Sequence, residues 1–226
     1  MEAPHRRPTR LVVLASGTGS NLQAILDACL SGELAAEVVA VVSDKDNAYA
    51  LKRAADAGVP SVHVGVHAGE ARSDYDSRLA DVVAGFSPDL IVLAGWMRIL
   101  TNAFLGWFPN EVINLHPALP GELPGTRAVE RAWHEALAGE RTRTGVMVHR
   151  VLDEGVDDGP VLASVEVPIQ LDDTFESLQA RIHAAEHALL VQAIRGLIPP
   201  ADPPPDLTSE PPPHDTSIHD TKATSA

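Results

Sequence analysis

Apolar and polar positions alternate along this chain in blocks, and the blocks change period. Leu11-Val12-Val13-Leu14-Ala15 is an unbroken apolar run, the pattern of a central parallel strand buried on both faces. A glycine-rich turn follows, and then Leu22, Ile25, Leu26, Cys29 and Leu30 recur at helical spacing, with Gly32 placed to end the helix. Val38 to Val42 predicts a second buried strand, Ala48 to Ala57 a helix stopped by Gly58-Val59-Pro60, and Ser61 to Val64 a third strand. After a polar loop from Val66 to Ser73, Tyr75 to Phe86 predicts a helix and Leu90-Ile91-Val92-Leu93-Ala94 the most apolar strand. This strand-helix alternation implies right-handed crossovers and an α/β fold: a doubly wound, mainly parallel sheet with helices on both faces.

The second half follows the same logic with more interruptions. Thr101 is placed to cap a short helix carrying Phe104, Leu105 and Phe108, and Glu111 to Asn114 predicts a short buried strand. A proline- and glycine-bearing loop leads to a helix from about Ala128 to Ala138. Thr144 to Val151 and Val161 to Val167 predict two strands flanking the loop Asp153 to Pro160, the second leading to an edge. Asp172-Asp173-Thr174 can cap a long last helix whose apolar stripe includes Leu178, Ile182, Ala185 and Leu189, and Pro199-Pro200 ends it. The division expected is an extension over residues 1–10, a domain over 11–198 and a Pro-rich acidic, disordered tail over 199–226.

Composition narrows the function. A formal net charge of -14 argues against a nucleic-acid surface, because phosphate binding needs a concentrated excess of Lys and Arg. One cysteine, Cys29, rules out an internal disulfide and fits a cytoplasmic setting, in a role as a small buried residue. The basic start around Arg6, Arg7 and Arg10 precedes an apolar run too short for an export signal, and no stretch is long and apolar enough to span a membrane.

Two stretches carry candidate chemistry. Ser16-Gly17-Thr18-Gly19-Ser20-Asn21 joins a buried strand to a helix start, where backbone N–H groups and the positive helix end favour an anion. A dinucleotide fold wants a third glycine where Leu22 stands, although Asp44 is placed as a ribose-binding acid would be; a monophosphate site is preferred, and a plain tight turn is the bland alternative. Farther on, strand alternation places Asn114 and His116 on one side of the backbone. Pro117 keeps His116 extended, at the carboxyl end of its strand, where open α/β sheets carry their sites. An Asn amide can donate to a developing oxyanion, a His can exchange a proton near neutrality, and an Asp such as Asp157 can orient that His. The same residues also occur as caps and turns.

Taken together, Ser16 to Asn21, Ala94-Gly-Trp-Met-Arg-Ile-Leu100, Asn114-Leu-His-Pro117 and Asp157-Asp-Gly-Pro160 resemble the folate-dependent formyltransferases, over about Leu11 to Leu197. The resemblance implies a Rossmann-like sheet and 10-formyltetrahydrofolate as co-substrate. It implies as acceptor the amine of glycinamide ribonucleotide, in purine biosynthesis. By motif position it assigns catalysis to Asn114, His116 and Asp157. It assigns the phosphoribosyl acceptor to Gly17, Gly19, Ser20 and Asn21, with Glu186 and His183 on the last helix. The folate falls to Arg72, Met97, Arg98, Ile99 and Leu100, and to Asp153, Asn114 and Asp157. It implies small-molecule partners, neither nucleic acid nor membrane, and a monomer or homodimer.

Asp157 is expected to raise the pKa of His116, so that a protonated imidazole and the Asn114 amide stabilise the formyl oxygen. No metal is expected, because the spacing of His116, His149 and nearby acids matches no compact ligand motif. Rival acceptors are a methionyl-tRNA, disfavoured by the acidic balance and the tail, and a sugar nucleotide. A formylfolate hydrolase would carry an added amino-terminal domain, for which Met1 to Arg10 leaves no room. A nucleotide-binding module without catalysis is the rival of another class.

Overall fold

The computed structural model describes residues 7–199; the expectations for residues 1–6 and for the tail over 200–226 lie outside the described residues. Seven strands form one sheet in the order β3-β2-β1-β4-β5-β6-β7. In chain order the elements are β1 (Thr9–Leu14), α1 (Ser20–Leu30), β2 (Ala36–Ser43), α2 (Tyr49–Asp56), β3 (Ser61–His63), α3 (Arg72–Ala84) and β4 (Leu90–Leu93). They continue as α4 (Asn102–Leu105), β5 (Val112–His116), α5 (Ala128–Leu137), β6 (Arg143–Arg150), β7 (Val161–Pro168) and α6 (Phe175–Leu197). The pairs among β1 to β5 are parallel, and β6 and β7 add on antiparallel.

Strand alternation sorts the core into two layers. Leu11, Val13 and Ala15 pack with Val92, Ile113 and the buried faces of α1 and α6, while Val12 and Leu14 pack with Ile91, Val112, Tyr75 and Phe104 on the side of α3 and α4. β2 breaks the rule once: Val39 and Ala40 both join the second layer, because the β1–β2 register slips between Leu11 and Val12, where partners step from Val38 to Ala40. Val112 faces the α3 side and Ile113 the other, so alternation puts Asn114 and His116 on the α3 side together.

Several element ends differ from the pattern-based expectation. α3 begins at Arg72 rather than Tyr75, so Arg72 is a helix residue and not a loop residue. α4 ends at Leu105 and Phe108 lies beyond it. Thr101 stands at the N-cap of α4, but its side chain makes no capping hydrogen bond. α6 starts as expected, with Thr174 and Ser177 forming a reciprocal capping box worth about 1 kcal/mol. Its stripe buries Leu178, Ile182 and Leu189, with Ala185 half-buried.

The sheet order has its switch point between β1 and β4, whose loops leave the carboxyl edge together. Those loops are tied: Ser16 N–H donates to Gly95 O at 3.0 Å, and Met97 N–H donates to Ser16 Oγ at 2.9 Å. No helix among the described residues is long and apolar enough to cross a membrane.

Candidate active site

A cavity of about 230 Å³ opens at this carboxyl edge. Its walls are Gly95–Leu100 after β4, Asn114–Pro117 ending β5, Gly125–Ala128, and residues from His149 to Asp157, with Asn21 and Glu186 at one side. Asn114, His116 and Asp157, singled out from sequence, meet on it. Nδ2 of Asn114 donates to Oδ1 of Asp157 at 3.1 Å, Nδ1 of His116 lies 3.2 Å from Oδ2 of Asp157, and the Gly125 N–H donates to the same Oδ2 at 2.7 Å.

The hydrogens available on each ring and amide fix the partners further. Nδ1 of His149 lies 3.0 Å from the Arg150 carbonyl, which can only accept, so in the neutral ring Nε2 is left as an acceptor. It lies 3.1 Å from Asn114 Nδ2, so the two amide hydrogens of Asn114 go to His149 and Asp157. His116 has the opposite problem: Nδ1 faces Asp157, and Nε2 lies 3.0 Å from the Leu123 carbonyl. Both neighbours are acceptors, and a neutral ring can satisfy one.

The electrostatics correct one expectation. Burial lowers the pKa of His116, and the raising influence of Asp157 and the Leu123 carbonyl recovers only part of that, so the net direction is down rather than up. For Asp157, burial alone would raise the pKa, but the Gly125 N–H and the neighbouring His116 hold the carboxyl below its usual range, while His149 Nε2, an acceptor toward Asn114, has no proton to give it. Asp157 therefore stays ionised beside an imidazole that resists protonation. Its backbone lies in the left-handed region, at φ 56°, as do Leu123 at 46° and Arg127 at 55°. Such conformations cost non-glycine residues of order 1 kcal/mol each and concentrate at functional sites.

The glycine turn contributes unevenly. Asn21 lines the cavity and donates to Glu186 Oε2 at 3.3 Å, whereas Gly17, Gly19 and Ser20 lie outside its lining. Gly19 is the N-cap of α1 at φ 70°, and a Cβ there would come within 2.8 Å of the Ala50 backbone. Only glycine fits. Arg53 of α2 reaches this turn, its Nε donating to Thr18 O at 2.9 Å. Glu186 does not sit on a solvated helix face: it is 7% exposed, and burial raises its pKa against the opposing pull of Asn21 and His183. His183 itself is exposed and does not line the cavity.

Met97, Arg98, Ile99 and Leu100 form the opposite wall. Met97 and Ile99 present exposed apolar surface, Leu100 is buried, and the Arg98 guanidinium stacks 4.7 Å over the Tyr75 ring. Asp153 lines the cavity and its Oδ1 accepts from Gly155 N–H at 2.8 Å, organising the turn that leads to Asp157. Arg72 does not line the cavity; its Nη2 lies 3.9 Å from Glu154 Oε2, and Glu154 also accepts from Asn102 N–H at 3.1 Å.

Residues 9–194 match the formyl transferase family.

The chain belongs to that family.

It is 48% identical over 204 residues to the phosphoribosylglycinamide formyltransferase of Schizosaccharomyces pombe, covering 83% of this chain and 96% of that protein. The Escherichia coli phosphoribosylglycinamide formyltransferase is 38% identical over 179 residues, covering 79% of this chain and 82% of the relative. Among solved structures, glycinamide ribonucleotide transformylase 1 from Symbiobacterium toebii superposes with a TM-score of 0.79 at 39% identity, over 86% of this chain and 90% of that one.

Two contacts at this cavity were not legible in the sequence. His149 touches Asn114 because the antiparallel register pairs the two residues directly. The Leu123 carbonyl reaches His116 because the loop before α5 turns through a left-handed residue. The Asn114–His149 contact needed the β5–β6 register, which hydrophobic period does not give.

Proposed function

We propose that this chain transfers the formyl group of 10-formyltetrahydrofolate to the amine of glycinamide ribonucleotide, giving formylglycinamide ribonucleotide and tetrahydrofolate in purine biosynthesis. The observation that carries this reading is the convergence of Asn114, His116 and Asp157 on one cavity, lined also by Asn21, Glu186 and the segment Met97–Leu100. Residues 11–198 act as the catalytic domain. The partners are small molecules, and the cytoplasm is the compartment such a reaction calls for.

The neutral amine attacks the formyl carbon, a C–N bond forms, and the carbonyl electron pair moves to oxygen. The hydrogens of Asn114 and His116 that could meet this oxygen are directed at Asp157, His149 and Leu123. The developing oxyanion takes the place of some of these internal acceptors, so stabilisation is stronger in the transition state than in the ground state. Its negative charge also favours the imidazolium that burial disfavours. Asp157 accepts the amine proton, directly or through water, and the proton is passed to the folate nitrogen as the old C–N bond breaks.

Asn21, Glu186 and the glycine turn bind the acceptor, with the N–H groups at the start of α1 directed at its phosphate and Glu186 at its sugar. Met97, Arg98, Ile99, Leu100 and Asp153 bind the folate ring, and Arg72 takes the carboxylates of its tail in exchange for Glu154. The test is formyl transfer followed by absorbance, with acceptor present or omitted and His116→Ala as control. Acceptor-dependent turnover lost in the variant supports the reading. Turnover without acceptor indicates a hydrolase, and no turnover by the folded chain rejects it.

A further inference from the structure

We propose that Asp76, which does not line the cavity, is a positioning residue that holds the folate-facing wall in its binding shape; this rests on the formyl-transfer reading above. Asp76 lies on α3 and is 0% exposed. Its Oδ2 accepts the N–H of Thr101 at 2.6 Å, immediately after the cavity segment that ends at Leu100. Its Oδ1 is buried with no hydrogen-bond partner among the described residues, and the Thr101 hydroxyl is in the same condition.

A carboxyl group without an ion-pair partner among the described residues is an expensive choice for a helix-to-loop packing contact, where an apolar side chain would pack at less cost. What it supplies is a strong acceptor aimed at one backbone N–H. The neighbouring Tyr75 is anchored through its hydroxyl to Val64 O at 2.9 Å and carries Arg98 on its ring at 4.7 Å. The pair Tyr75–Asp76 therefore grips the wall at Arg98 and at Thr101, and the two residues between, Ile99 and Leu100, line the cavity. α3 packs in one core layer, whereas Asn21 and Glu186 belong to α1 and α6, which pack in the other. The effect of Asp76 should fall on the folate alone.

The experiment compares Asp76→Ala and Asp76→Asn in the full chain, after thermal melts establish that each is folded. Alanine should raise the KM for 10-formyltetrahydrofolate about tenfold or more, with kcat within about threefold and the KM for glycinamide ribonucleotide within about twofold. Asparagine, which keeps a side-chain oxygen for the Thr101 N–H, should return the folate KM to within about threefold of the parent. Thr101→Pro deletes the same hydrogen bond from the donor side and should reproduce the alanine effect, which keeps the test available if the alanine chain does not fold. An unchanged folate KM, an equal rise for both substrates, or an asparagine variant as impaired as alanine overturns the proposal. Tetrahydrofolate affinity, read without acceptor by quenching of tryptophan fluorescence, separates the two ideas. A parent chain that binds tetrahydrofolate but transfers nothing to glycinamide ribonucleotide refutes the functional reading, while Asp76 is still judged by the same tenfold change in affinity.

Discussion

Nδ1 of His116, the last residue of β5, stands 3.2 Å from Oδ2 of Asp157, on the loop after β6. This contact joins the parallel half of the sheet to its antiparallel extension, and it sets an ionised carboxylate against an imidazole whose burial disfavours the proton. Asp157→Asn keeps the shape and removes the charge and the proton acceptor. It should lower kcat about 10²- to 10⁴-fold while the KM for glycinamide ribonucleotide changes by no more than about threefold. Steady-state kinetics decide, and unchanged turnover would remove Asp157 from its assigned role.

Glu186 gives a pH signature. Its folded pKa is raised, so the stability it contributes is present below the ordinary carboxyl value and is lost as pH rises through the folded value. Glu186→Gln has no charge to bury. The melting temperature of the variant minus that of the parent should therefore grow from about pH 4.5 upward. The same variant should weaken acceptor binding. A difference that shrinks with rising pH would contradict the burial argument.

Gly19→Ala tests the glycine turn. The added methyl meets the Ala50 backbone at 2.8 Å, and the residue must hold φ 70°. A loss of about 1–3 kcal/mol is expected in denaturant unfolding, together with a raised KM for the acceptor phosphate. Gly17→Ala meets nothing within 4 Å and should be milder in stability. Equal losses at the two positions would show that the close approach to α2 is not the cause.

Activity should survive a chelator. Among the described residues no group of three or more His, Cys, Asp and Glu side chains is placed to hold a metal ion. At the site itself, the Asp157 oxygens are committed to Asn114, His116 and Gly125. Loss of turnover in chelator, restored by one added metal, would overturn this.

Cys29 should react slowly with thiol reagents. Its pKa is pushed up to about 11, first by burial and then by Glu37, so little thiolate forms near neutrality. A rate like that of a free thiol, measured by absorbance at pH 7.5, would show that the α1 face is more open than it is here.

The elements were legible wherever one period dominated. Leu11 to Ala15 and Leu90 to Ala94 read as strands because parallel strands covered on both faces carry no polar interruption. Asn114 and His116 shared a face because alternation leaves no other choice. Legibility failed where a contact is made by chain segments that periodicity does not relate. Arg72 could not be placed in a helix from its polar surroundings, and Glu186 could not be seen as buried because its hydrogen-bond partner, Asn21, lies on α1.

The order of the elements, the glycine at position 19 and the identities of Asn114, His116 and Asp157 are properties of the sequence, set by local sterics and hydrophobic period. Their meeting is a property of the fold. The antiparallel register of β6 on β5 brings His149 to Asn114, and the left-handed turn at Asp157 aims its carboxylate at both. Burial then lowers the pKa of His116 against the pull of Asp157, because the cost of removing charge from water depends on neighbours brought together in three dimensions.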